Sequence, residues 1–329
     1  MQLKYFKLIL LMIFITLFAG CKKINDATIP IPPTVLQNDC IKRTLGPNVI
    51  GLNIEFAYAM ALPQSAGNIV SAQVDASIAG ATGTYLDNKS YYTNGSGQDI
   101  GITVGSPSVT TDTRTVVTFT KDTCASTLRY FYTIPDAARG QSVTFTFSAT
   151  ASTGESVSYK MGPYSVTNMD MKLDLVATNN NACYISIADM AIYNSATAAA
   201  NPGKIDLVYL YRAITGITFA HALVSPAASP DYLPGVTLPA GVNNSTPMIK
   251  TWNLYDQNLA RLQYGIFIDD ADFKQIDFTN APNYAINLKA QAGAWVETAD
   301  GKYRAYIYVN AINNGASSMT ISIKRLTMK

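Results

Sequence analysis

The chain has 329 residues, 48% hydrophobic and only 14% charged, with a formal net charge of +2. This is long enough for two ordinary domains. No run of Lys or Arg supplies the basic footprint that phosphate neutralisation demands, so nucleic acid is excluded as a partner.

The chain opens with Lys4 and Lys7, then the apolar run Leu8–Phe18, then the small pair Ala19-Gly20 ahead of Cys21. A positive start, a short apolar core and small residues are the parts of an export signal. The run falls short of the roughly 20 apolar residues that a spanning helix needs. Leu17-Phe18-Ala19-Gly20-Cys21 resembles the bacterial lipoprotein signal, the lipobox, in which the cysteine thiol takes up a diacylglycerol and cleavage falls before it. The resemblance implies a signal peptide over 1–20, lipid attachment at Cys21 and a membrane as the first partner. Several acyl chains on one terminus anchor durably, where a single chain binds reversibly. Loss of Lys4 and Lys7 with the signal brings the mature charge to zero. Residues 21–39, with Pro30, Pro32 and Pro33, read as an extended tether. In lipoproteins of the Bacteroidetes an acidic cluster after the cysteine marks export to the surface. Lys22 and Lys23 stand there instead, leaving the face of the outer membrane open.

Residues 40–167 read as an immunoglobulin-like β-sandwich. Leu52, Ile54, Phe56 and Tyr58 alternate with Asn53, Glu55 and Ala57, the pattern of a half-buried strand. Strands follow at 69–78, 100–104, 115–120, 128–134, 143–150 and 156–161, and Gly162-Pro163 ends the unit. In Val143–Thr150, Val143, Phe145 and Phe147 point one way, against Thr144, Thr146 and Ser148. Tyr85–Gly97 reads as a polar loop tipped by Tyr91 and Tyr92. Short strands at this spacing with no helix between them suggest a sandwich. An exported chain can form disulfides. Cys40 precedes the first strand and Cys124 lies within the unit, so a Cys40–Cys124 bridge is one expectation and buried free thiols the other. Cys183, between Ala182 and Tyr184, reads as a small packed hydrophobe.

Residues 168–329 read as a second, mainly β domain with small helical insertions. Strands are expected at 171–177 and 183–187, and a short helix at 194–200, stopped by Asn201-Pro202-Gly203. Lys204–Arg212 is apolar on both faces and belongs at the centre of its sheet. Five prolines make 224–248 a long irregular excursion, a kind of segment that is often functional. Asp256–Leu262 and Asp269–Ile276 read as short helices, the second opening with acids that suit a helix N-terminus. Strands at 284–290, 295–296, 303–312 and 319–326 close the chain, with an Asp300-Gly301 turn. The fold class is therefore all-β in the main, two tandem β-sandwich domains.

The chemistry is sparse. His221 is the one histidine, so no Cys–His metal spacing or catalytic triad can be assembled, and it reads as a hydrogen-bonded structural residue. Asp269-Asp270-Ala271-Asp272 lacks the Gly and distal Glu of a calcium loop. No phosphate-cradling glycine loop or Gly-x-Ser-x-Gly elbow occurs, and no cofactor is implied. We expect no enzyme. Aromatic rings offer the sharper idea, because sugar rings stack on flat apolar faces with a polar handle. Tyr91, Tyr92, Trp252 and Trp295 are the candidates for ligand stacking, with Tyr232 and Tyr255 nearby in the second unit.

The lipobox, the proline-containing tether, the run from Tyr184 through Asn201-Pro202-Gly203-Lys204-Ile205-Asp206 to Tyr209, and the tail from Tyr284 through Thr298-Ala299-Asp300-Gly301-Lys302-Tyr303 together look like a Bacteroidetes outer-membrane lipoprotein of an uncharacterised family. The resemblance is broadly to lipoproteins associated with starch-utilisation-type systems. It implies a non-catalytic protein of the outer membrane that binds a glycan or another nutrient, beside a polysaccharide or a transporter complex. The alternative is a structural or adhesive pilus-type subunit of the fimbrillin kind, with a removable N-terminal strand and a cleavable Arg, for which Arg43 is the nearest candidate.

Overall fold

The computed structural model describes residues 34–329; the expected signal peptide, Cys21 and most of the expected tether lie outside the described residues. Two tandem β-sandwiches follow one another. In the first, β1 (Gln37–Lys42), β2 (Asn53–Ala61), β9 (Ala125–Thr133) and β4 (Tyr85–Leu86) form one sheet in the order β1-β2-β9-β4. The facing sheet runs β11-β10-β3-β8-β7, from β11 (Ser156–Ser165), β10 (Ser142–Ala151), β3 (Ile69–Ala76), β8 (Arg114–Thr118) and β7 (Val109–Thr111). Period-two alternation puts Phe56 and Tyr58 of β2, Tyr130 and Tyr132 of β9, and Phe145 and Phe147 of β10 between the sheets, all fully buried. Phe56 lies 4.8 Å from Phe145 and 5.2 Å from Phe147, ring centre to ring centre, in tilted contacts that suit aromatic quadrupoles.

Several expectations need correction here. The tether stops earlier than residue 39, because Leu36 and Cys40 turn inward and β1 pairs with β2 from Gln37 onward. The Tyr85–Gly97 stretch is more ordered than a loop. β5 (Lys89–Thr93) and β6 (Asp99–Thr103) form a hairpin whose turn is held by Asn94, its Oδ1 accepting from the N–H groups of Ser96 and Gln98. Strand β11 continues through Gly162-Pro163 rather than ending there.

The Cys40–Cys124 bridge is absent; Cys40, Cys124 and Cys183 are free thiols. Cys40 pairs with Tyr58 on one side of β2, while the carbonyl of Cys124 takes the N–H of Leu62 on its other side. Two strand spacings plus four residues along a strand put the cysteines on the order of 16 Å apart. That far exceeds the roughly 7 Å between Cα atoms that a disulfide spans. Burial, with Asp39 adding to it, pushes the Cys40 thiol up to about 12.

In the second sandwich one sheet runs β12-β21-β20-β19-β17, from β12 (Met169–Thr178), β21 (Ser318–Thr327), β20 (Tyr303–Asn313), β19 (Ala292–Glu297) and β17 (Met248–Trp252). The other runs β14-β13-β15-β16-β18, from β14 (Ala191–Tyr193), β13 (Tyr184–Ser186), β15 (Leu207–Ile214), β16 (Ile217–Val224) and β18 (Tyr284–Leu288). β15 is central, as its two apolar faces required. Strands β16 and β17 are not announced by the sequence, because His221, Lys250 and Thr251 blur their alternation.

Helix α1 (Ser195–Ala200) starts at Asn194, whose side chain accepts from Thr197 N–H. α2 (Gln257–Ala260) is capped by Asp256 and α3 (Asp270–Gln275) by a capping box between Asp269 and Asp272. The segment carrying α2 and α3 covers the outer face of the β12–β17 sheet, where Leu259, Ile268 and Phe273 pack on Trp295, Tyr306 and Tyr308. Val49 of the first sandwich joins the same cluster. At the junction Asp170 sits between Arg139, at 2.7 Å, and Arg325. Among the described residues no helix is long and apolar enough to cross a membrane.

Candidate binding cleft

The structure scatters the expected stacking rings. Tyr92 on β5 is 52% exposed and Trp252 at the end of β17 is 54% exposed. Tyr91 is half-buried: its hydroxyl donates to Asp87 Oδ2 at 2.5 Å, and the Arg129 guanidinium stands 4.3 Å from its ring. Tyr91 and Tyr92 belong to the first sandwich and Trp252 to the second, so they form no shared platform with it. Trp295 is a core residue, 7% exposed, edge-on to Phe273 at 5.2 Å and 4.8 Å from Tyr306. Its strand is buried on both faces once α2 and α3 cover the sheet, so it is removed from the candidate site. Tyr232 stacks on Tyr284 at 3.6 Å, and Tyr255 donates to Gln291 at 2.8 Å.

A polar cleft lies instead at one end of the second sandwich. Its cavity is about 360 Å³, inside the 300–1,000 Å³ range of small-ligand sites. Four chain segments meet there: the turn after β13 (Ala188, Asp189), the approach to β15 (Gly203, Lys204, Asp206), Asn244 of the proline-rich excursion, and the β19–β20 hairpin (Thr298, Asp300, Lys302, Tyr303). The β15 approach and the hairpin belong to two of the stretches on which the lipoprotein resemblance rested. They read as structural in the sequence, and folding brings them into one wall.

Asp206 is the unusual member. It is 4% exposed, and its Oδ2 accepts from Ile187 N–H at 2.7 Å. Burial, reinforced by the charges of Asp300 and Asp189, pushes its carboxyl up to about 7, although the Ile187 hydrogen bond works the other way. Its neighbours are held ionised. Asp189 accepts from Tyr193 and from Lys204 Nζ at 2.9 Å, which keeps it below the usual carboxylate range. Asp300 accepts from Thr298 Oγ1 at 2.6 Å and from Lys302 N–H at 2.9 Å, with the same effect. Asn244 donates its amide to the carbonyls of Gly203 at 3.0 Å and Ile205 at 2.9 Å. Arg325 lies behind the wall, donating to the carbonyls of Ile187 and Ala188.

The cleft can thus accept hydrogen bonds at fixed positions and exchange one proton near neutral pH. Among the described residues no group of three or more His, Cys, Asp or Glu side chains is arranged to hold a metal ion. The available signal was an acid between Ile205 and Leu207 in a strand otherwise apolar on both faces. His221 is buried, its Nδ1 2.7 Å from the Tyr209 hydroxyl and its Nε2 2.8 Å from Asn314 Oδ1. Both ring nitrogens are engaged, in keeping with a structural role.

The family model described as "Domain of unknown function (DUF4466)" matches residues 33–166. The crystal structure of a DUF4466 family protein from Parabacteroides merdae is 51% identical, covering 90% of this chain and 100% of that one, with a TM-score of 0.85. This chain belongs to the DUF4466 family. A second model, "Domain of unknown function (DUF8576)", matches residues 167–328 and so contains every residue that lines the cleft of this DUF4466 protein. A fragment of the major pilin GBS80 of Streptococcus agalactiae is 12% identical, covering 56% of this chain and 74% of that one, with a TM-score of 0.28. The major pilin BcpA of Bacillus cereus is 8% identical, covering 87% and 62%, with a TM-score of 0.29. Scores that low carry no argument for the DUF4466 chain. No curated protein matches it.

Proposed function

We propose that this DUF4466 protein is a lipid-anchored protein of the outer membrane that binds a hydroxyl-rich ligand, a glycan or a comparable polar nutrient, without transforming it. The reading is carried by one observation: a nearly enclosed carboxyl, Asp206, lines a ligand-sized cavity in which the other acids already have partners. Buried polar groups are normally hydrogen-bonded, and those left for a ligand give specificity. The anchor rests on the resemblance at Leu17–Cys21. A transporter complex in the same membrane is the partner class that goes with it.

The test is binding of the full-length protein, extracted in detergent, to an array of polysaccharides. Losing one charge-assisted hydrogen bond costs about 1.5–3 kcal/mol, so Asp206→Ala is expected to weaken binding about tenfold or more. Retention of no glycan, or retention indifferent to Asp206, would refute the reading. The anchor has its own test: Cys21→Ala is expected to release the protein from the membrane fraction, and equal retention would overturn the lipid attachment.

The polymerising-subunit reading has weaker support. β1 is a sheet-edge strand, as a removable strand must be. Arg43 behind it, however, is tied to Glu55 through its N–H at 2.8 Å and its guanidinium at 3.3 Å. A protease needs that backbone free.

A further inference from the structure

We propose that the Asp206 cleft selects glycans bearing a free amino group, with the ammonium seated against the Asp206 carboxylate; this rests on the glycan reading above and names its ligand class.

Three features of the cleft lead there. First, its open positions are acceptors. One Asp206 oxygen is held by Ile187 N–H, and the other accepts from no described residue. Among the described residues the Asn244 side chain bonds only through its amide nitrogen, which leaves the side-chain oxygen as an acceptor. An ammonium brings three donors and no acceptor.

Second, the cations around the cleft are already committed to partners other than Asp206. The charges that act on Asp206 are Asp300, from the β19–β20 hairpin, and Asp189, from the turn after β13, and both disfavour its ionisation. Lys204 is engaged by Asp189 at 2.9 Å. Lys302 lies over the Tyr303 ring, 5.2 Å from its centre, and its charge acts on Asp300, while Lys329 Nζ donates to the Asp300 carbonyl at 3.3 Å. Arg325 of β21 points its donors at backbone carbonyls and at Asp170. A ligand cation therefore supplies the charge that the protein withholds from Asp206.

Third, stacking is poorly available. Tyr303 is the one aromatic residue in the lining, and Arg325 stands 4.5 Å from its ring centre in addition to Lys302. Recognition in this cleft rests on polar groups.

Seating an ammonium displaces the proton that Asp206 carries near and below neutral pH. While the ligand amine keeps its own proton, binding is therefore linked to proton release and strengthens with rising pH, and it weakens again where that amine deprotonates.

The experiment is calorimetry on the full-length protein with oligomers of glucosamine, N-acetylglucosamine and glucose of the same linkage. The glucosamine oligomer is expected to bind about tenfold more tightly than the others in slightly acidic buffer, where its amines carry their protons. Its heat should vary with the ionisation heat of the buffer, which reports the released proton. Asp206→Asn keeps an acceptor for Ile187 N–H and should abolish both the preference and the buffer dependence. Asp300→Asn, a milder change, should move the pH midpoint of binding downward by removing an acidic neighbour. Equal affinity for the three oligomers, or a preference that survives Asp206→Asn, would overturn the inference while leaving glycan binding in place. Failure of the unaltered protein to bind any oligomer would end the glycan reading and this inference together.

Discussion

Lys324 and Asp256 form an ion pair at 2.5 Å with neither side chain exposed. The ammonium also donates to Asn258 Oδ1 and to the carbonyl of Ile268, both at 3.1 Å, so its three donors meet three acceptors. Asp256 in turn accepts from Leu259 N–H at 3.0 Å and Ile268 N–H at 2.8 Å. One carboxylate thereby caps α2, closes the loop between α2 and α3, and fastens both to β21. Burial lowers the lysine's proton affinity while Asp256 opposes that shift.

Removing one partner of a buried pair leaves an uncompensated charge, at a cost of about 3–5 kcal/mol. Asp256→Ala is expected to lose stability on that scale in urea unfolding. Lys324→Met should lose less, because Asp256 keeps two backbone donors and the methionine fills the space. A loss from Asp256→Ala no larger than that of a typical surface substitution would sink this account.

The Asp206 carboxyl is raised from its ordinary 3.8 to about 7 in the folded protein. The folded chain thus holds that proton more tightly than the unfolded chain, and the stability this provides is fully present below the unfolded value. It is lost as pH rises toward 7, an effect of at most a few kcal/mol. Asparagine does not ionise, so Asp206→Asn should melt above the unaltered protein at pH near 8. The gap should shrink as the sample is acidified to about pH 5. Thermal melts at the two pH values decide it, and a gap that grows on acidification would contradict the assignment.

The two tryptophans should part company. Trp295→Ala empties a packed site between α3 and β20 and is expected to cost about 3–5 kcal/mol. Trp252→Ala, at the exposed end of β17, should stay within about 0.5 kcal/mol of the unaltered protein. Chemical unfolding of both variants measures the difference.

Without a disulfide, a reductant should leave the melting temperature unchanged. Titration in denaturant without reductant should find Cys40, Cys124 and Cys183 all reactive. In the native state Cys40 and Cys183 should resist, since both are buried and burial raises both thiols. A blocked pair in the denatured, unreduced sample would restore the bridge.

Much of the fold was legible because strand alternation is a local property. Phe145 and Phe147 against Thr144 and Thr146 can be read without knowing what lies opposite, and the Asp300-Gly301 turn announces its own hairpin. The apolar faces of Lys204–Arg212 even told that β15 is central. The Tyr85–Gly97 stretch misled because its turn residues outnumber its strand residues, although five of them pair with β6. The disulfide misled because spacing along the chain says nothing about which side of β2 each cysteine occupies.

The cleft was the less legible part. Asp189, Asp206, Asn244 and Asp300 lie on separate segments of the chain, and each alone is an ordinary turn or strand-end residue. Only the meeting of four segments gives Asp206 acidic neighbours and removes it from water.

By itself the amino-acid sequence determined the strand periodicity, the two-sandwich organisation and the resemblance of Leu17–Cys21 to a lipid-attachment signal, since each depends on residues close along the chain. The tertiary structure alone decided which polar residues leave water. Lys324 sits on the hydroxyl-bearing side of β21, where alternation reads as solvent, yet the segment carrying α2 and α3 closes over it. Trp295 is buried by the same cover, and Asp206 is buried where four separate segments meet. Burial depends on what arrives from far along the chain, and no local pattern encodes that.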